Sequence, residues 1–313
     1  MEYKNNIYMN NFLKTAGVIA LLLVVYSLLQ GLFVGVAMAG YMIYDIINGS
    51  LSPSVFSNVE ALIESPVIKA HEIDAMAVGI FLSAAAMLLF IHVTKLFRLR
   101  KSLFTSMAVR PLLLSTALVF TVIPTFNVLV QWLPLEDLLE NEFDGLTHTV
   151  MGAFTISVLA PLLEEVMFRG AIQGYMMRRM RSPWAAIIAA ALVFGIFHMN
   201  PVQVVYATLL GVVFGWIYYR TGSLMSVIVG HVLNNAIATI MMLLLGPTDE
   251  KELLNEYMPS EAVLASEIFT FVFFGALSVY LAVKLHRSLP AVPVPWHESC
   301  ETGRDLSLDN TGC

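Results

Sequence analysis

Long uninterrupted apolar runs constrain this chain more than any other feature. They fall at about 16–43, 75–97, 112–133, 147–163, 184–199, 202–219, 224–246 and 262–284, most of them near the roughly 17–25 residues a helix needs to cross a bilayer. No compact core of a chain this size can hide eight such runs. The sequence therefore predicts an all-α fold, a polytopic transmembrane helical bundle of about eight spans. Composition agrees: 58% of residues are hydrophobic and 13% charged, with mean hydropathy +0.76, whereas a soluble domain carries about a quarter charged residues. The fifth run is short, and the fourth is expected to continue as helix to about Arg179. The first contains Ala37-Met38-Ala39, which is like a signal-peptidase site, but its apolar stretch runs on past that point, so an uncleaved helix is expected.

Loop charges set an expected orientation. With the N-terminus inside, Lys4 and Lys14, then Lys95, Arg98, Arg100, Lys101 and Arg110, then Arg178, Arg179 and Arg181, then Arg220, and finally Lys284, Arg287 and Arg304 are cytoplasmic. The outer loops then hold Lys69 and Lys251 alone, with acidic residues such as Glu136, Asp137, Glu140, Glu142 and Asp144. Of the 17 basic residues, fourteen are inside, two outside and one, Arg169, within a span. The reversed topology violates the positive-inside rule at nearly every loop. An integral membrane protein with both termini cytoplasmic is expected. The net charge of -6 sits mostly in loops and gives no sign of a nucleic-acid partner. Both cysteines, Cys300 and Cys313, fall in the C-terminal tail, so no disulfide framework supports the fold.

Ionisable groups inside spans each cost at least a few kcal/mol, which makes them functional candidates by default. The densest group lies in Ala160-Pro161-Leu162-Leu163-Glu164-Glu165-Val166-Met167-Phe168-Arg169-Gly170. Glu165 and Arg169 are four apart and can form a helical salt bridge, read as a brace. Glu164 has no partner at that spacing and is turned about 100° away, which favours a functional role. In Phe194-Gly195-Ile196-Phe197-His198, the histidine by itself reads as a hydrogen-bonded core residue. In Gly230-His231-Val232-Leu233-Asn234-Asn235, His231 and Asn235 share a helical face. Gly211 and Gly215 form a small-xxx-small pair suited to close packing of the sixth helix.

Depth makes the polar residues a group. At roughly 1.5 Å per residue, Glu164 lies about 21 Å from Arg178 and His198 about 22 Å from Pro183. On the same rise, His231 lies about 14 Å and Asn235 about 20 Å from Gly222. Tilt and a break expected at Pro161 shift each figure by several ångströms. His71, His92, His148, His286 and His297 do not join the group, and Glu267 is read as a snorkelling or packing residue.

A carboxylate, imidazoles and an amide can activate water and stabilise an oxyanion, the needs of amide hydrolysis. There is no Gly-x-Ser-x-Gly elbow, no cysteine within a span and no His-Glu-x-x-His helix. The motifs Glu164-Glu165-x-x-x-Arg169, Phe194-x-x-x-His198 and His231-x-x-x-Asn235 resemble those of the CAAX-processing and bacteriocin-processing membrane proteases, also called CPBP or Abi. That family includes the Rce1-type prenyl-protein endopeptidases. The resemblance covers about residues 145–245.

The resemblance implies a metal-independent glutamic endopeptidase without a cofactor. Glu164 is expected to activate water with His198 assisting, His231 and Asn235 to form the oxyanion site, and Glu165 with Arg169 to support it. Implied partners are a peptide or membrane-protein substrate, lipidated or not, and membrane lipids; a prokaryotic plasma membrane is the expected location. The expected division is 1–144 for three N-terminal spans, 145–246 for the protease core, 247–287 for an outer loop and last span, and 288–313 for a disordered cytoplasmic tail. Two other readings compete. One is a metal-dependent membrane hydrolase with Glu164, Glu165, His198 and His231 as ligands. The other is a non-enzymatic immunity or scaffold protein in which the cluster serves only helix packing.

Overall fold

The computed structural model describes residues 2–58, 60, 62, 64–94, 108–136, 138, 145–178, 180, 182–245 and 258–290, with side chains from Lys14 onward. The charged connections at 95–107, 139–144 and 246–257, Asp137, Arg179, Arg181 and the tail from 291, with His297, Cys300, Arg304 and Cys313, lie outside the described residues.

Among the described residues, eight helices of 15 residues or more stand where the apolar runs are. They are α1 (Glu2–Ile47), α2 (Pro66–Thr94), α3 (Val109–Gln131), α4 (Val150–Met177), α5 (Pro183–Phe197), α6 (Pro201–Thr221), α7 (Met225–Leu245) and α8 (Ser260–Ser288). Among the described residues, 7 of them are long and apolar enough to cross a membrane. The fold is thus a polytopic helical bundle, and the protein is integral to the membrane. The eighth, α5, has 15 residues, about 22 Å of helix against a hydrocarbon core of about 30 Å.

Local chemistry fixes the limits of α5. Ser182 caps its start by accepting from the Ala185 N–H, and Pro183 occupies the first turn, where its missing N–H costs nothing. At the other end Met199 takes φ 53, a left-handed conformation unusual for a side chain of that size, and stops the helix just after His198. Asn200 and Pro201 then start α6, which ends on Gly222 at φ 64, where the absence of a Cβ removes the steric cost.

The break expected at Pro161 is not there. α4 runs through it as one helix with two wider π turns, Thr155–Leu159 and Glu165–Gln173. A proline removes the hydrogen bond to the carbonyl four residues back, here Ser157, and crowds it. The first π turn contains Ser157, so widening there accommodates the ring in place of a break. The second π turn opens at Glu165.

The chain forms two compact units. The first comprises Met1–Leu96, Leu139–Leu163 and Asn235–Thr248. In it α1 packs along α2, so closely that a Cβ on Gly79 collides with the Val34 backbone. Ser157 of α4 donates to Thr239 of α7 at 3.0 Å.

The second unit comprises Phe97–Leu138, Glu164–Asn234 and Asp249–Cys313. Its α5 and α6 pack as an antiparallel pair, with Gly211 against Ala191 and Phe194 and Gly215 against Ile187 and Gln173. The small-residue pair thus serves close packing, as its spacing predicts. α3 lies along α8, where Trp132 Nε1 donates to Glu267 Oε2 at 2.9 Å. Glu267 is therefore a buried packing residue rather than a snorkelling one. Arg220, also buried, donates to the carbonyls of His286 and Pro290, so α6 and α8 end on the same side of this unit.

Candidate active site

Two adjacent residues of α4 meet very different surroundings. The Glu165 side chain is 0% exposed, and its Oε1 accepts from Arg169 Nη1 at 3.0 Å and from His231 Nδ1 at 2.8 Å. The expected salt bridge is present, and the histidine on α7 joins it, a link that sequence spacing does not reveal. The side chain of Glu164 is 23% exposed, and its Oε2 stands 3.7 Å from His231 Nε2. That separation is too long for a direct hydrogen bond. His231 is thus held by one carboxylate through Nδ1 and turned toward the other through Nε2. A histidine fixed by a carboxylate on one nitrogen has its tautomer and ring orientation set for work at the other.

Burying Glu165 and Arg169 costs several kcal/mol per ion unless geometry and further contacts compensate. The compensation comes from three other helices. His231 of α7 donates to the shared oxygen. The Arg169 guanidinium lies 4.2 Å from the Phe194 ring of α5 and 5.2 Å from the Phe214 ring of α6. Phe168 adds an edge contact to Phe194, centroids 5.0 Å apart.

His198 belongs to the same aromatic cluster. It follows the last residue of α5, and its Nδ1 donates to the Phe194 carbonyl at 2.9 Å. Because a carbonyl can only accept, Nδ1 carries the proton and Nε2 is the basic nitrogen of the neutral ring. His198 and His231 both stand edge-on to Phe194, at 89° to its plane. Asn235, in the first unit, donates from Nδ2 to the Ile156 carbonyl within the first π turn, at 3.2 Å.

The structure therefore joins Glu164, Glu165, Arg169 and His231 by direct side-chain contact, sets His198 against the same ring, and ties Asn235 to the α4 backbone. Sequence reasoning missed Phe214, the acceptor at Ile156 and the π turns. Pro161 was the one available signal for a disturbed helix; a phenylalanine in an apolar span carries none. Among the described residues, no three His, Cys, Asp or Glu side chains converge as a metal-ligand set.

Fold and cluster together define an integral membrane protein of helical class with a charged, aromatic-lined site sunk within its spans. Residues 146–237 match the family described as Type II CAAX prenyl endopeptidase Rce1-like, and all three motifs lie inside that segment. The resemblance read from the motifs holds there, and it is to a family of membrane proteases. The chain is also 31% identical over 87 residues to a Bacillus subtilis (strain 168) protein provisionally named as the membrane peptidase YdiL. That match covers 28% of this chain and 35% of the relative, so the chain spans about a third of the length of the curated relative it matches. No solved structure matches.

Proposed function

We propose that this protein is an intramembrane endopeptidase that hydrolyses peptide bonds of membrane-associated proteins or peptides, with Glu164 activating the water. The observation that carries this reading is the division of labour between the two carboxylates. Glu165 is buried and takes two donors on one oxygen, whereas Glu164 is the more accessible and faces His231 Nε2. A general base has to reach both water and substrate.

In the proposed reaction Glu164 takes a proton from water as its oxygen attacks the peptide carbonyl carbon. The oxyanion that forms accepts hydrogen bonds from Asn235 and from Nε2–H of His231, a role that requires the ring to carry a proton on both nitrogens. Collapse breaks the C–N bond, and the proton taken from water reaches the leaving nitrogen with the help of His198. Glu165 and Arg169 hold His231 in place throughout. No metal enters this reaction: Glu165 is engaged by Arg169, and a cation beside that guanidinium is disfavoured.

The catalytic core is assigned to residues 145–246. The substrate is a peptide or membrane protein, and the matched family, described by its prenyl endopeptidases, makes a prenylated C-terminus one class to test. We place both termini in the cytoplasm on the fourteen-to-two distribution of basic residues, and the protein in a prokaryotic plasma membrane on its likeness to a Bacillus subtilis protein. Purified protein incubated with membrane-tethered peptides, prenylated and not, tests the activity: new cleavage fragments are expected, and none from either class argues for a non-enzymatic protein. Single-cysteine labelling from outside sealed cells tests the orientation. Position Asn58 is expected to react and Lys101 is not; the opposite pattern reverses the topology.

A further inference from the structure

We infer that Phe214, which lies outside all three motifs, is a positioning residue: with Phe194 it forms an aromatic clamp that fixes Arg169, and through Glu165 the orientation of His231. The inference rests on the proposed hydrolysis for its rate readout and stands independently of it for its structural one.

Arg169 Nη2 is buried with no hydrogen-bond partner, and so is Glu165 Oε2. A guanidinium sunk this deep normally has its donors satisfied, and here Nη1 alone reaches a carboxylate. The remaining positive charge faces two aromatic rings, Phe194 at 4.2 Å and Phe214 at 5.2 Å. The negative potential over an aromatic face attracts a desolvated cation. Phe214 is itself 0% exposed, and its ring centroid is 5.0 Å from that of His231 at a tilt of 39°. One ring therefore touches both groups that donate to Glu165 Oε1, Arg169 from α4 and His231 from α7. If the guanidinium shifts, the shared oxygen shifts with it, and His231 Nε2 loses its alignment toward Glu164.

Shape and electrostatics separate in a series of fluorinated phenylalanines at position 214, introduced one fluorine at a time into the full-length protein. The steric change is small, while the negative potential of the ring face falls at each step. The expected result is a stepwise fall in kcat totalling about tenfold, with KM changed less than twofold, because the ring touches no substrate. Phe214→Leu is expected to fall at least as far, and Phe214→Tyr, which keeps the ring, to recover most of the rate.

The second readout needs no activity. The side-chain 15N signals of His231, assigned by their loss in His231→Gln, are expected to show a proton on Nδ1 and to move progressively along the fluorine series. If kcat and the His231 signals stay constant across the series, the clamp is wrong. If the signals move and the unmodified protein cleaves nothing, the clamp stands and the protease reading falls.

Discussion

Two carboxylate–histidine contacts of nearly equal length sit in different regions of this molecule, and only one has the makings of a catalytic site. In the first unit Asp45 of α1 meets His71 of α2 at 3.0 Å, with the Tyr41 ring stacked on the imidazole at 4.6 Å. In the second unit Glu165 meets His231 at 2.8 Å. The Asp45 backbone carbonyl also receives the N–H groups of Ser50 and Leu51, and the His71 side chain is 25% exposed, so this pair closes a helix end. Around Glu165 there is an arginine on the same oxygen, two rings on that arginine, and a second, accessible carboxylate across the imidazole. A buried carboxylate holding a histidine is structural by default. The second carboxylate, opposite the outward nitrogen, gives the arrangement something to do.

The largest contrast is expected in rate. Glu164→Gln and His198→Ala should each lower cleavage by at least about 100-fold, the contribution of a general acid or base, with little loss of thermal stability. Retained cleavage in either variant removes that residue from the mechanism. Next comes stability in the supporting pair. Glu165→Gln or Arg169→Ala strands a buried charge and should cost about 3–5 kcal/mol, read as a lowered unfolding midpoint in detergent; unchanged stability in both variants breaks the brace.

At the Asp45–His71 pair, Asp45→Asn should cost about 1 kcal/mol, in the range of partly exposed ion pairs, and leave the cleavage rate within about twofold. A rate loss there as large as at Glu164 erases the distinction between the two regions. The smallest effect, none, is expected from exhaustive chelation, with elemental analysis finding no stoichiometric metal. One zinc per chain, with activity lost in chelator and restored by metal, moves the chemistry to a metal-dependent hydrolase.

Much of this was legible in the residues. Among the described residues the apolar runs located the seven helices long enough to span, because a span must be apolar over a length fixed by the bilayer, and also the shorter α5, whose composition is equally apolar. The Glu165–Arg169 pair followed from helical spacing, which survives the wider turn at 3.0 Å. What was not legible depends on packing between helices distant in sequence. Glu165 and His231 are 66 positions apart, and nothing in either segment says that they touch. Phe214 looks like any apolar residue of α6 until Arg169 is found beneath it. Pro161 announced a disturbance, but whether a helix breaks or widens there depends on the helices around it.

If two adjacent glutamates do different jobs, one sample is enough to separate them. Purified Glu164→Gln protein is assayed for peptide cleavage in chelator while its unfolding midpoint is recorded beside the unmodified protein. No cleavage above background is expected, with the midpoint within about 2 °C of the unmodified protein, a shift worth about 1 kcal/mol. Cleavage at a near-normal rate contradicts this division of labour, and so does a midpoint lowered as far as in Glu165→Gln.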